Sequence, residues 1–380
     1  MSWEERSVEM QREEFVRLAL QEGSNRRELC RRFGISRKTG YKMLARFAAE
    51  GVAGLGDRSR RPHHSPGRTP AAVEETVLRI REEHNGAWGG RKIAVDMKRS
   101  GPGAVPAAST ITQILRRHGK LEASAAEHPG PCQRFERAHP NELWQIDFKG
   151  DFALLAGRCH PLTMLDDHSR FCLVLTACGN ERDDTVRRPL VAAFERYGLP
   201  REMLMDGGSP WGDPGGHPHT AFTVWLMRLG IRIGHGRPYH PQTRGKEERF
   251  HRSLKAELLK GRTFRDLDDC QRAFDPWRQV YNFQRPHEAI AMAVPGERYR
   301  PSPRAYPQLL PAIEYAPGDR VRKVDHDGFI GFRNRSWRVS KAFRGQPVAV
   351  RPAQQDGVFT VHFCQQQIAV LDLRQLPPGS

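Results

Sequence analysis

The chain has 380 residues, a net charge of +17 and a pI near 10. It is too long for one ordinary hydrophobic core, so we expect two to four domains. The charge favours a polyanionic partner, and the sequence argues against a membrane, because no apolar stretch approaches the roughly 18 residues of a transmembrane span. The charged N-terminus also lacks the apolar core of a signal peptide.

Three short helices are predicted at the N-terminus. The first lies between Gln11 and Glu22, the second is capped by Ser24 and runs through Phe33, and Ser36 caps a third over residues 37–47. This arrangement predicts a helix-turn-helix domain over residues 1–55, with the third helix in a DNA major groove. Its candidate DNA contacts are Arg37, Lys38, Tyr41 and Lys42. A helical bundle with a basic outer face is the alternative.

A Pro-, Gly- and Arg-rich linker follows at residues 56–70. Such a segment either tracks DNA phosphates or is a passive tether. A second helical unit is predicted over residues 71–122, with its last helix following Pro106. Ala-, Pro- and Glu-rich residues 123–138 form the next linker. Seven scattered cysteines without a C-x-x-C pair predict neither a zinc finger nor a disulfide framework, and they fit a reducing cytosol.

Strand patterns then begin at Leu143–Phe148, which contains Asp147. Two further strands flank the turn that contains Asp166 and Asp167, so three antiparallel strands are expected. Both turn aspartates are assigned to hydrogen bonding within the turn. After a helix, a short apolar strand ends at Asp206. Another helix and a short strand follow the Gly- and Pro-rich residues beyond Asp206.

The segment from Gly236 to Lys260 reads GRPYHPQTRGKEERFHRSLKAELLK. His240 to Thr243 predict a loop, and a helix is expected to begin near Lys246. Its apolar residues recur every four positions and are expected to face a core; they are Phe250, Leu254 and Leu258. A second face carries a carboxylate and two cations, which would suit a metal ion beside a polyanionic backbone; these are Glu248, Arg252 and Lys255. A solvated helix with salt bridges is the alternative.

Together these motifs resemble the catalytic core of the retroviral integrase and DDE transposase superfamily, specifically bacterial insertion-sequence transposases. The resemblance rests on W-x-x-D, a strand ending in D-x-G-S, and Y-H-P-Q-T-x-G-K-x-E-R-F-H-R-S-L-K. It implies a ribonuclease-H-like α/β core over residues 139–294, with Asp147, Asp206 and Glu248 as catalytic, metal-holding residues. Two departures are present: Gly207 replaces the usual Asn, and 41 residues separate Asp206 from Glu248. We expect an enlarged loop to absorb the surplus.

The same resemblance extends to both sides of the core. Residues 71–122 are similar to a second helix-turn-helix domain of this group. A Pro-rich linker is expected at residues 295–311. Six short strand patterns over residues 312–376 resemble the small SH3-like β-barrel that follows many integrase cores, with DNA contact or a purely structural or oligomerising role as open alternatives.

The resemblance implies a mechanism and partners. The three carboxylates would hold two Mg²⁺ ions, with Mn²⁺ as a possible substitute, for in-line cleavage and strand transfer of DNA. Arg252 and Lys255 would bind phosphates nearby. The implied partners are double-stranded DNA, as terminal repeats and target, and a homo-oligomer of at least two copies in the bacterial cytosol at the nucleoid. A DNA-binding regulator with an inactive core and a ribonuclease acting on RNA:DNA hybrids are the alternatives.

Overall fold

A computed structural model of the chain describes residues 7–59, 69–101, 103–121, 136–212, 218–235 and 245–375. The chain divides into two units, Met1–Arg68 and Thr69–Ser380. Most of the two predicted linkers at 56–70 and 123–138 lies outside the described residues, as does the predicted loop from His240 to Thr243. No helix in the described ranges combines the length and apolar character needed to cross a membrane.

The first unit contains the three predicted helices. They are α1 (Val8–Ala19), α2 (Arg26–Arg32) and α3 (Arg37–Glu50), followed by a 3₁₀ turn at Gly51–Leu55. Ser36 caps α3 as predicted, accepting from the Thr39 N–H. The predicted cap of α2 is wrong: Asn25 accepts from the Glu28 N–H, whereas the Ser24 hydroxyl donates to the Ala19 carbonyl at the end of α1.

The helices of the first unit enclose a small apolar core. Its buried members are Phe15, Val16, Ala19, Cys30, Met43 and Leu55. Gly40 lets α3 approach the other two helices closely, because a Cβ there would lie 2.7 Å from the Cys30 sulfur and 2.9 Å from the Phe15 ring. Close packing of short helices is the main source of their stability, since isolated helices of this length are marginal in water.

The second unit begins with the other predicted helical group. Its helices are α4 (Ala71–Glu83), α5 (Gly90–Ser100) and α6 (Ala108–Arg117). Trp88 is fully buried among Ile93, Ile111 and other residues of these helices. Gly90 permits a tight crossing of α5 and α6, because a Cβ would meet the Ala108 carbonyl oxygen at 2.3 Å.

A mixed sheet forms the centre of the second unit. Its strands are β1 (Leu143–Phe148), β2 (Phe152–Ala153), β3 (Arg158–Asp166), β4 (Cys172–Cys178), β5 (Glu202–Met205) and β6 (Arg232–His235). β3 pairs antiparallel with β1, β2 and β4, as the predicted three-stranded opening requires. β5 then pairs parallel with β1, and β6 parallel with β5. The order β4-β3-β1-β5-β6 is the ribonuclease-H-like arrangement.

Helices cover both faces of this sheet. On one face lie α7 (Asp183–Tyr197) and α8 (Ala221–Arg228), whose apolar residues join one large core cluster. On the other lie α9 (Gly245–Leu254), a π-helical turn at Lys255–Leu259 and α10 (Leu267–Phe283), which form a second cluster. The predicted inward positions on α9 are confirmed: Phe250, Leu254 and Leu258 are all buried.

The segment predicted as a Pro-rich linker packs on the core. It begins with the short helix α11 (Pro295–Arg298), and the rest of 295–311 has no regular structure. The Arg304 guanidinium donates to the carbonyls of Leu229 and Gly230 at 3.1 and 3.0 Å, and the Ser302 hydroxyl donates to the Leu199 carbonyl at 2.7 Å. These contacts anchor the segment along α7 and α8.

The C-terminal region is strand-rich, as predicted. Its strands are β7 (Arg320–Lys323), β8 (Phe329–Phe332), β9 (Arg335–Arg338), β10 (Pro347–Pro352), β11 (Val358–Phe363) and β12 (Gln366–Asp372). They form a four-stranded antiparallel sheet, β12-β11-β10-β7, and a separate β8-β9 hairpin. The expectation of a closed barrel is therefore corrected for the described residues, because no strand pairing there joins the hairpin to the sheet. Apolar residues of this region join the same core cluster as α7 and α8.

Candidate active site

The strand register bears on the relative positions of Asp147 and Asp206. Its last pair sets Gln145 of β1 opposite Leu204 of β5, and continuing it by two residues brings Asp147 level with Asp206, the residue directly after β5. Neighbouring strands lie about 4.8 Å apart. Side chains alternate between faces, and the residues on either side of the aspartates, such as Ile146 and Met205, pack toward α7 and α8. Asp147 therefore faces the side of the sheet covered by α9, and Asp206 follows the end of the neighbouring strand β5.

A polar contact fixes α9 against this strand end. The Thr163 hydroxyl, on β3 opposite Asp147, donates to the Asp147 carbonyl over 3.0 Å. Since a hydroxyl has one proton to donate, its oxygen accepts from His251 Nε2–H of α9, which lies 2.9 Å away. Burial, and then the charge of Lys149, lowers the pKa of His251 to about 4, so the ring is neutral near pH 7.

Glu248 lies one turn before His251 on α9 and is exposed, whereas its neighbour Glu247 is 4% exposed. Because residues three apart share a helix face, Glu248 lies on the side of α9 that continues from His251. Within the described ranges, no three Asp, Glu, His or Cys side chains are grouped closely enough to form a ready-made metal site. The three members of the predicted triad therefore lie in β1, directly after β5 and at an exposed position of α9, and their role as one site stays a prediction.

The segment after β5 is held by short-range contacts. The Gly208 N–H donates to Asp206 Oδ1 over 3.0 Å, and His235 Nδ1 lies 3.0 Å from the Asp206 carbonyl. Trp211 is buried and stacks on Phe148 of β1. The first part of the predicted enlarged loop is therefore anchored on the core, and residues 213–217 of that loop lie outside the described residues.

Cationic side chains lie beyond the carboxyl end of β1. Arg252 on α9 and Lys255, which begins the π-helical turn, are both exposed, and a shared face with Glu248 stays a prediction from their spacing. Burial lowers the pKa of Lys149, and the nearby charge of Lys255 lowers it further.

Asp166 and Asp167 have structural partners, as the prediction of a turn role requires. Asp166 accepts from both the N–H and the hydroxyl of Ser169, at 2.8 and 2.6 Å, and burial raises its pKa. Asp167 is 1% exposed and accepts from Gln145 Nε2 over 2.8 Å. It also pairs with Lys246 at the start of α9, a long-range role that its position in a turn did not indicate.

The predicted DNA contacts of the first unit form one exposed patch. Arg37, Lys38, Tyr41 and Lys42 are all exposed on the N-terminal half of α3. The Arg26 guanidinium lies 5.9 Å from the centre of the Tyr41 ring. Basic and aromatic groups at the start of a third helix suit contacts with DNA bases and phosphates.

Sequence reasoning missed Thr163 and His251. Thr163 lies in an otherwise apolar strand, where a lone hydroxyl gives no signal. His251 is part of the quoted motif, three residues after Glu248, and its position one helical turn from a candidate metal ligand was the available signal.

Family models match most of the chain. The model described as Integrase core domain matches residues 137–241, and a second of the same description matches 229–295. The IS481 family transposase, C-terminal domain, matches 319–377. Toward the N-terminus, a Helix-turn-helix domain matches 11–63 and a Homeodomain-like domain matches 39–115. Proteins with an integrase core use divalent metal ions.

Relatives include proteins of two bacterial insertion elements. The chain is 27% identical over 158 residues to the insertion element IS407 uncharacterized 31.7 kDa protein of Burkholderia multivorans, covering 42% of the chain and 55% of that protein. It is 27% identical over 182 residues to the insertion element IS476 uncharacterized 39.2 kDa protein of Xanthomonas euvesicatoria. This match covers 47% of the chain and 49% of that protein. The matched part thus spans about half the length of these relatives.

Among solved structures, the HTLV-2 integrase catalytic core domain in complex with magnesium is 15% identical, with a TM-score of 0.34, covering 43% of this chain and 99% of that one. A chain in the structure of the simian T-cell lymphotropic virus intasome is 15% identical, with a TM-score of 0.40. This match covers 77% of the present chain and 95% of that one. Together, the matching domain models and the insertion-element relatives support the resemblance of this chain to insertion-sequence transposases of the DDE/integrase superfamily.

Proposed function

We propose that this protein binds the terminal repeats of a mobile DNA element, cleaves the DNA at their ends and transfers the strand into target DNA. The single observation that carries this proposal is the register of β1 and β5, which brings Asp147 and Asp206 level when it is continued two residues past Gln145 and Leu204. Paired carboxylates at the open end of a sheet are the arrangement that metal-assisted phosphoryl transfer uses.

The carboxylates of Asp147, Asp206 and Glu248 are the proposed metal ligands. Their oxygen donors suit Mg²⁺, with Mn²⁺ as a substitute. Two such ions would supply activation of the attacking oxygen and neutralisation of charge at the scissile phosphate. Arg252, Lys255 and Lys149 would hold the flanking phosphates by their positive charge. The contacts of Thr163 with His251 and with the Asp147 carbonyl join α9 to β1 through β3, which supports a common site for Asp147 and Glu248.

We assign terminal-repeat binding to the exposed patch on α3. Target-DNA contact is assigned to the C-terminal strands, for which an SH3-like comparison is part of the proposal. All four residues of β7, which include Arg320, Arg322 and Lys323, are exposed. Two element ends must be held together during strand transfer, so at least a dimer on DNA is proposed, acting in the bacterial cytosol at the nucleoid.

The test is a strand-transfer assay with the repeats that flank the gene. We expect nicking at the repeat ends and joined products with Mg²⁺ or Mn²⁺, and neither in EDTA. End-binding without any metal-dependent cleavage would instead identify a DNA-binding regulator. Cleavage of RNA:DNA hybrids that lack repeat sequences, with no action on repeat ends, would identify a ribonuclease.

A further inference from the structure

The helical group α4–α6 is docked on the catalytic core by α5. Arg99 Nη2 lies 2.9 and 3.1 Å from the two carboxylate oxygens of Glu297, which belongs to α11. Arg91 lies 3.3 Å from Glu288, in the 3₁₀ turn between α10 and α11. Each exposed ion pair contributes only about 0–1 kcal/mol, so these two pairs alone would not hold the group in place.

Buried contacts add to the docking. Val280 of α10 packs against the apolar cluster that contains Trp88 and Ile93. Lys92 of α5 is also partly buried, and this burial lowers the pKa of its ammonium group to about 8. The positive charge of Arg285 lowers the pKa further, whereas the negative charge of Glu257 raises it. Burying the Lys92 ammonium group costs hydration free energy. Because buried charged groups favour one arrangement over others, the surroundings of Lys92 fix its position.

The docking contact continues directly into α9. Arg285 donates to Glu257 over 2.8 Å, and both side chains are almost fully buried. The same guanidinium donates to the Ser253 hydroxyl over 2.9 Å. Ser253 belongs to α9, five residues after Glu248. α5 therefore contacts α10 and the turn after it, and Arg285, just after α10, contacts the helix that carries a proposed catalytic carboxylate.

The last helix of the docked group presents a polar face to solvent. Ser109, Gln113 and Arg116 recur at i, i+4 and i+7 on α6 and are exposed. Gln and Arg side chains can form paired hydrogen bonds with adenine and guanine in the major groove. The opposite face of α6 is buried: Ile111, Ile114 and Leu115 lie in the apolar cluster.

We propose that α6 reads a DNA segment internal to the element's end, and that its docking on the core fixes the distance from this segment to the cleaved phosphate. The inference rests on the proposed function. The first unit differs, because it is a separate unit and the residues that join it to the second are predicted as a tether from their Pro, Gly and Arg content. The proposal therefore fixes a distance only for the segment read by α6.

The experiment uses the full-length wild-type protein. Footprinting with Gln113→Ala and Arg116→Ala locates the segment read by α6. Five base pairs, about half a helical turn, are then inserted between this segment and the cleavage site. We expect cleavage at the original phosphate to fall at least tenfold. The same insertion between the two protected segments should change cleavage less than threefold.

A second arm disrupts the docking itself. Arg91→Glu combined with Arg99→Glu turns both attractions into repulsions that oppose the buried contacts, so the wild-type spacing should become less important. Adding Glu288→Arg and Glu297→Arg should restore the spacing requirement. Arg79→Glu is the matched control, because Arg79 is exposed and pairs with Glu83 inside α4. Undiminished cleavage at the original phosphate by the wild-type protein after the insertion would overturn the fixed-distance proposal. Absence of cleavage on the unmodified end would instead count against the proposed function.

Discussion

The side-chain amide of Gln366 pairs with both main-chain groups of Ile233. The Ile233 N–H donates to Gln366 Oε1 over 2.8 Å, and Gln366 Nε2 donates to the Ile233 carbonyl over 3.0 Å. Ile233 lies in β6, the edge strand of the central sheet, whereas Gln366 begins β12 of the C-terminal sheet. The Gln366 amide therefore supplies hydrogen-bond partners for the main-chain N–H and carbonyl at the open edge of β6. It also connects the C-terminal region to the core that contains the central sheet.

Gln366→Ala should destabilise the protein by about 1–3 kcal/mol, because it leaves a main-chain donor and acceptor without their partner. Urea unfolding would measure the destabilisation, and limited proteolysis should release the C-terminal region more readily. Gln367→Ala, at the exposed next position, is the control. Equal stability of the two variants would contradict a holding role for Gln366.

Replacing Arg320, Arg322 and Lys323 with Gln should weaken binding to non-specific DNA while terminal-repeat binding changes little. The slope of log affinity against log salt should fall by about 1 for every phosphate that the protein no longer neutralises. Equilibrium binding at several salt concentrations measures this slope. Arg272→Gln is the control, because Arg272 is paired with Asp269. An unchanged slope would remove β7 from the DNA-binding surface. Deleting residues 312–380 would be a poorer test, since their apolar residues complete the core cluster.

Arg37→Ala and Lys42→Ala should each weaken binding to the terminal repeats by about 1–3 kcal/mol if the side chain reaches a base. Metal-dependent chemistry on a pre-nicked end should remain. Mobility-shift titration checks the first expectation and a strand-transfer assay the second. Arg17→Ala, on the exposed side of α1, is the control. End-binding that both α3 variants retain in full would remove the recognition-helix assignment.

Stability should fall as the pH falls from about 6.5 to about 4. Burial lowers the pKa of His251 and of His219 to about 4. The unfolded chain takes up these protons near pH 6.5 and the folded one does not, so the stabilisation is complete above pH 6.5 and is lost through this window. Each histidine contributes at most about 3 kcal/mol, from 1.36 kcal/mol for each pH unit.

Urea unfolding at pH 7 and pH 5 measures this dependence. His251→Asn keeps a donor for Thr163 and removes the titrating ring, so its loss of stability between the two pH values should be smaller than that of the wild type. His326→Asn, at an exposed position, should leave the loss unchanged. A pH dependence that is the same in wild type and His251→Asn would contradict the depressed pKa of His251.

Local patterns predicted the features that depend on neighbouring residues. The spacing of Phe250, Leu254 and Leu258 gave the buried face of α9, and six C-terminal strands lie where their alternation predicted. The family motif predicted that Asp147 and Asp206 lie together, and the parallel register of β1 and β5 supports this prediction.

Contacts between distant residues could not be predicted in this way. The pair of Asp167 with Lys246, the contact of His251 with Thr163 and the amide of Gln366 on β6 each join positions far apart in sequence. The packed segment at 295–311 has the composition of a linker, but Arg304 holds it on the core by bonds to main-chain carbonyls that no sequence pattern marks. Closure of a barrel also depends on strand pairing that single-strand patterns do not specify.

The most direct test of the proposed active site compares Asp147→Asn, Asp206→Asn and Glu248→Gln with Glu247→Gln. An amide keeps the shape of a carboxylate but removes the negative charge that balances bound cations. Strand transfer should fall by at least a thousandfold in the first three variants, together with Mn²⁺ binding by calorimetry, while folding and terminal-repeat binding remain. Glu247→Gln should remain active apart from any loss of stability. Full activity in Glu248→Gln with loss of activity in a folded Glu247→Gln would contradict the assignment of the third carboxylate.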